Sequence, residues 1–117
     1  MRILKLTLTK KWFTEIYLLR KPEEYRTIKK HWVSRICTKH VGVIGGDLMD
    51  KHKVIAHNIK HFDAIEFTNG YGNHMPKILI ESKGISIGRG NPDWGAPIDT
   101  DVFILSLGKI LETKNIK

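Results

Sequence analysis

A chain of 117 residues that is 41% hydrophobic and 27% charged fits one compact domain with a real core and is too apolar to stay disordered. Its single cysteine, Cys37, excludes an internal disulfide framework, and no run approaches the roughly 20 apolar residues of a membrane span, so a cytoplasmic protein without a membrane partner is expected. The formal net charge of +8 is concentrated: residues 1–40 hold 11 Lys and Arg against 3 Asp and Glu, whereas residues 41–117 hold 9 of each.

Residues 2–8 alternate, with Leu4, Leu6 and Leu8 against Lys5, Thr7 and Thr9, which predicts a strand with one buried face. The stretch lacks the apolar core of a signal peptide. Thr9 is placed to cap a helix over about residues 10–18. Trp12, Ile16 and Leu19 form its expected buried stripe, flanked by Phe13 and Tyr17. Then comes Leu19-Arg20-Lys21-Pro22-Glu23-Glu24-Tyr25-Arg26, two acids, an aromatic and three bases around a proline. Pro22 fixes its own φ and drives Lys21 toward extended backbone, so an ordered loop or short strand is expected here. Residues 28–37 read as a helix, with Ile28, Trp32 and Ile36 on one face. Lys29, Lys30, Arg35 and Lys39 point away from it, either as a solvated face or as a ridge that meets phosphates.

Gly42, Gly45 and Gly46 interrupt the pattern, and Asp47 is placed to cap a helix through about residue 60. His57 and His61 stand four apart, a spacing that can present two imidazoles to a metal. Neither the glutamate of an HExxH motif nor a cysteine cluster accompanies them, so surface histidines and no metal or other cofactor are expected. From residue 63 the pattern turns to strands. Ile65 and Phe67 share a face of the first, Asn69-Gly70 and Tyr71-Gly72 signal a turn, and Ile78 to Glu81 form the next strand. Gly84 to Gly88 continue that strand past a bulge or bend. Arg89 to Pro97 is a loop dense in turn residues that carries Trp94. Gly88-Arg89-Gly90 lacks the third glycine and the helix of a dinucleotide fingerprint. A last strand is expected from Val102 to Leu107, resuming at Lys109–Leu111, with Thr113 to Lys117 frayed. The order spells a single α+β domain over residues 1–117, with a small curled or barrel-like sheet.

Residues 19–26 resemble the G-x-K-x-x-E-x-R signature of the ASCH domains in the PUA-like superfamily: Lys21, Glu24 and Arg26 match, and Leu19 stands where the signature opens with glycine. Asp63 to Tyr71 and Asn91 to Pro97 also look like small ASCH-like proteins of phages and prophages. The resemblance covers most of the chain except about 38–61, which looks like an insertion. It implies a small PUA-like β-barrel flanked by short helices, a cleft beside the barrel where the signature residues gather, and a role near RNA. Some ASCH proteins are amidohydrolases of acetylated cytidine, similar here at Lys21 and at a strand glutamate that Glu81 matches. Those enzymes carry a threonine nucleophile where this chain has Glu24, and a carboxylate cannot stand in for that hydroxyl in acyl transfer.

Residue chemistry gives the same regions two readings. Lys21 near Glu24 or Glu81 could position a ligand or serve as a base, and Arg26 offers a planar fork to phosphate or a base edge. Tyr25, Tyr71 or Trp94 could stack a nucleobase, with Lys29, Lys30, Asn69 and Arg89 completing the candidate binding set. The plain alternative is a Lys–Glu–Arg network that ties the loop to the fold. The expectation is a nucleic-acid-binding protein, RNA favoured. Its rivals are a hydrolase of a modified nucleoside or RNA using Lys21, Glu24 and Glu81, and a phage-encoded module that docks on a protein partner.

Overall fold

The structure is a computed structural model and describes residues 1–38 and 48–116. Asp47, Lys39 and the glycines at 42, 45 and 46, for which roles were expected, lie outside the described residues. The elements are β1 (Ile3–Leu8), α1 (Lys10–Tyr17), β2 (Glu23–Thr27), α2 (Lys30–Ile36), α3 (Leu48–His57), β3 (Ala64–Asn69), β4 (Lys77–Arg89), a 3-10 turn (Pro92–Trp94) and β5 (Asp101–Lys114). The fold is α+β, with a mixed sheet in the order β1-β3-β4-β5-β2. That sheet ends at β1 and β2 and is not closed into a barrel among the described residues. No described helix is long and apolar enough to cross a membrane. The chain divides into two compact units, one of residues 1–24, 62–84 and 106–117, the other of residues 25–61 and 85–105.

In the first unit, alternation decides the register. β1 runs parallel to β3, pairing Leu4 with Ile65 and Leu6 with Phe67, while antiparallel β4 sets Ile80 beside Ile65 and Ile78 beside Phe67. All six are buried. A slip of one residue would turn that apolar set to solvent, so the pattern itself pins the pairing. Asp63 fastens the start of the ladder: its N–H donates to the Arg2 carbonyl at 2.9 Å, and its carboxylate accepts from the Arg2 N–H at 2.7 Å.

α1 packs on β1 and β3, but its inward face differs from the expected stripe. Phe13 and Ile16 are buried, Trp12 is half-buried and Leu19 is exposed. The stripe through Leu19 required the helix to continue, and it stops at Tyr17. Thr9 is the N-cap by backbone alone, its carbonyl accepting from the Phe13 N–H while its hydroxyl makes no capping bond.

The stop has a clear cause. The Arg20 N–H donates to the Glu15 carbonyl and the Leu19 N–H to the Ile16 carbonyl, the paired bonds of a Schellman motif. That motif needs a left-handed residue after the cap, and Leu19 takes the role with φ 61°. A branched residue is strained there, and Leu19 gains little in return because it is 68% exposed. Leu19→Gly is therefore expected to stabilise the protein by about 0.5–1 kcal/mol, the relief of strain exceeding the added freedom of the unfolded chain. A higher urea midpoint at unchanged m-value would show it; an unchanged or lower midpoint would contradict it.

In the second unit, Tyr25, Ala96 and Val102 form a buried cluster with Trp94 and Ile104 packed against it. α2 begins at Lys30 rather than residue 28 and buries Ile36, with Trp32 only half-buried. The ends of the segment after α2 meet again: Cys37 bridges Ile59, the Thr38 N–H donates to the Asn58 carbonyl, and the Lys60 N–H donates to the Ile36 carbonyl. β4 continues unbroken past Gly84, whose φ of 119° marks the bend, and β5 runs to Lys114 where fraying was expected.

Candidate nucleic-acid interface

The signature segment is built in two different ways on either side of residue 24. In the first unit, Pro22 ends the turn after α1 and β2 begins at Glu23, so Lys21 and Glu24 face each other across the entry to the strand. Lys21 Nζ lies 3.1 Å from Glu24 Oε1, with 2% and 5% of the two side chains exposed. The same ammonium sits 4.6 Å from the centroid of the Trp12 ring. Trp12, expected in the buried stripe, is thus half-buried and covers a buried cation. Shut from solvent, the pair does not present itself to a ligand. Glu81, the other acid considered for chemistry, lies on β4 with Oε1 at 3.5 Å from the Lys109 N–H, against Gly108. Asn69 closes β3, its N–H donating to the Pro76 carbonyl, and Tyr71 stands 89% exposed on the following turn. Tyr71 is therefore no part of the buried Lys21–Glu24 cluster.

A shallow groove in this unit is lined by Ile3, Glu66, Lys77, Leu79, Glu112 and Lys114. Two acids and two lysines leave it without a preference for anions.

In the second unit, Tyr25 is committed to packing. It is 7% exposed, and its hydroxyl oxygen accepts the Asn91 N–H at 3.0 Å. Asn91 in turn accepts the Asp93 N–H through Oδ1, which starts the 3-10 turn that carries half-buried Trp94. Tyr25 is thus not offered as a base-stacking ring. Arg89 is held by two carboxylates, Asp101 at 3.1 Å and Asp99 at 3.3 Å, and Asp101 also lies 3.4 Å from His52. A guanidinium with that company is a poor phosphate ligand.

Arg26 lies against a tryptophan. Its guanidinium carbon is 5.0 Å from the Trp32 ring centroid, and that of Arg35 is 5.1 Å from the same ring. His31 meets the indole edge-on at 4.7 Å. Arg35 was expected to point away from the apolar face of α2; instead it folds back over Trp32. Lys29 and Lys30, just before and at the start of the helix, are exposed. Residues 25–46 contain 5 Lys and Arg and no Asp or Glu, so the positive charge here is not cancelled along the chain. This arrangement was not legible residue by residue. Its only sequence trace is the three-residue spacing of Trp32 and Arg35, which helical geometry brings together.

His57 ends α3 and His61 lies beyond it, so the helical spacing that would aim both at one metal does not arise. Among the described residues no three His, Cys, Asp or Glu are grouped to hold a metal. Cys37 is 1% exposed, and burial pushes its thiol up from the ordinary range, with the charge of Lys60 a smaller opposing effect. Little thiolate forms at neutral pH, which makes Cys37 a packing residue rather than a nucleophile.

Comparison with protein-family models, with curated proteins and with solved structures finds no match to the chain. The functional reading therefore rests on the residues themselves.

Proposed function

We propose that the protein binds nucleic acid, with RNA favoured over DNA, as an ASCH-like domain of the PUA-like kind. The observation that carries the reading is the Arg26–Trp32–Arg35 cluster, two guanidiniums over one indole in a segment rich in bases and free of acids. Basic residues interleaved with aromatics are what a polyanion with flat bases requires. Support for the ASCH likeness comes from Leu19, whose left-handed backbone is the conformation that the signature's glycine would favour. In this reading the five-stranded sheet is the frame of a PUA-like barrel. RNA binding is assigned to the segment from Arg26 to Arg35 rather than to Lys21 and Glu24, which are closed to solvent. No observation favours the hydrolase alternative.

The test is salt-dependent binding of single-stranded RNA. Replacing Lys29 and Lys30 with glutamate is expected to weaken affinity at least about tenfold and to flatten the log–log salt dependence by about 0.7 for each phosphate no longer neutralised. Both side chains are exposed, so the fold should be untouched. Unchanged affinity and slope would rule the interface out.

A further inference from the structure

We propose that Tyr71 is a base-stacking platform for single-stranded nucleic acid, with the phosphates of the same strand drawn in by Lys10 and Lys11. The inference rests on the nucleic-acid reading above and adds a second binding site, in the unit that does not hold Arg26 and Arg35. Tyr71 is 89% exposed, whereas no other Phe, Tyr or Trp exceeds the 38% of Tyr17. At that exposure both faces of the ring are open to water, and packing supplies no reason for an aromatic there.

The loop that carries the ring is held in place. The Asn69 N–H donates to the Pro76 carbonyl at 2.9 Å, the Gly70 N–H to the Leu8 carbonyl at 3.0 Å, and Asn115 Nδ2 to the Met75 carbonyl at 3.4 Å. Gly70 and Gly72 take φ of 78° and 122°, a backbone that residues with a Cβ resist, and the Met75 side chain lies against both. A tyrosine presented on a fixed loop has little freedom left to lose when a ligand stacks on it.

The Gly70–Leu8 bond also decides what surrounds the ring. It ties the residue before Tyr71 to the end of β1, two residues before Lys10, and Lys10 and Lys11 are both exposed. Neither residues 1–14 nor residues 67–80 contain an Asp or Glu. The acids that flank those stretches are engaged: Glu15 pairs with Arg20, Glu66 faces Lys77 at 3.9 Å, and Glu81 lies against Gly108. An open aromatic beside lysines that no nearby acid along the chain offsets suits a flat base on an anionic backbone. An apolar protein side chain would use the ring and leave the lysines without a role.

The experiment uses the full chain with labelled oligouridylate and an abasic ribose-phosphate oligomer of the same length. Tyr71→Ala is expected to weaken oligouridylate about five- to a hundredfold, to keep the log–log salt slope, and to leave the affinity for the abasic oligomer unchanged. Tyr71→Phe keeps the ring and should bind within about twofold of the wild type. Lys10→Gln should instead flatten the slope by about 0.7. If the wild type binds oligouridylate and Tyr71→Ala binds it equally well, the inference is overturned and the nucleic-acid reading stands. Equal weakening of the abasic oligomer also overturns it, because the ring would then act through the fold and not on a base. If the wild type does not bind oligouridylate, the nucleic-acid reading falls and takes this inference with it.

Discussion

Glu24→Ala is expected to destabilise the protein by about 3–5 kcal/mol, the cost of leaving a buried charge without its partner. Lys21 and Glu24 are 3.1 Å apart with 2% and 5% of their side chains exposed, so water cannot take over from the missing carboxylate without the structure opening. Burial is what sets the size. The Arg20–Glu15 pair is shorter, at 2.8 Å, yet its side chains are 58% and 31% exposed, and it is worth about 0.2–1 kcal/mol. Distance alone would rank the two the wrong way round. Lys21→Met should cost a similar amount to Glu24→Ala, because it takes the ion-pair partner from a buried glutamate and removes the buried ammonium from the Trp12 ring.

The double replacement Lys21→Met with Glu24→Leu should recover most of the loss, since neither charge then needs a partner. It should not exceed the wild type, because both residues have further interactions that apolar side chains forfeit. Urea unfolding of the three variants measures this. A single-variant cost below about 1 kcal/mol would mean the pair is solvated in solution. The double variant also separates structure from function: RNA affinity should survive in it if the interface lies between Arg26 and Arg35, and should vanish if Lys21 and Glu24 meet the ligand.

The strands were legible because each apolar position alternates along a half-buried sheet. Leu4, Leu6 and Leu8, then Ile65 and Phe67, then Ile78 and Ile80, carry a period of two that only a strand satisfies. The helix α1 was legible as an element and misread as a face. Its end is decided by backbone bonds of Leu19 and Arg20, which leave no periodic trace, and losing Leu19 from the helix shifts the buried pair to Phe13 and Ile16. Gly108 misled in the other direction. It reads as an interruption of the last strand, but β5 passes through it, and a side chain there would run into the Glu81 carboxylate. For the site, sequence singled out Lys21, Glu24 and Arg26 as chemically unusual neighbours. It could not say which would be buried, since Glu24 and Tyr25 are buried side by side while the next residue is half-exposed. Arg35 was invisible for a related reason: a long cationic side chain on an outward position can still lie back over an aromatic ring.

Gly90→Ala is expected to cost about 2–4 kcal/mol, from overpacking and from the hydrogen bond it breaks. A Cβ at Gly90 would lie 2.6 Å from the Ala96 Cβ, and 2.6 and 2.8 Å from Cε1 and Cδ1 of Tyr25. Neither neighbour is a flexible end that can swing aside: Ala96 is 6% exposed and Tyr25 7% exposed, and both belong to the cluster closed by Val102. The strain must move the loop that follows. Asn91 is its first residue, and the bond from its N–H to the Tyr25 hydroxyl oxygen is only one residue from the new methyl group. Asn91 also starts the turn through Asp93, so the displacement would carry to Trp94. Tyr25→Phe removes that same bond without adding volume and should cost about 1 kcal/mol. The pair should be non-additive, because Gly90→Ala has already broken what Tyr25→Phe removes; the double variant should fall short of the sum by about 0.5–1 kcal/mol. Unfolding free energies of the two singles and the double decide it. Strict additivity would show that the Asn91 bond survives the substitution and that the chain yields elsewhere.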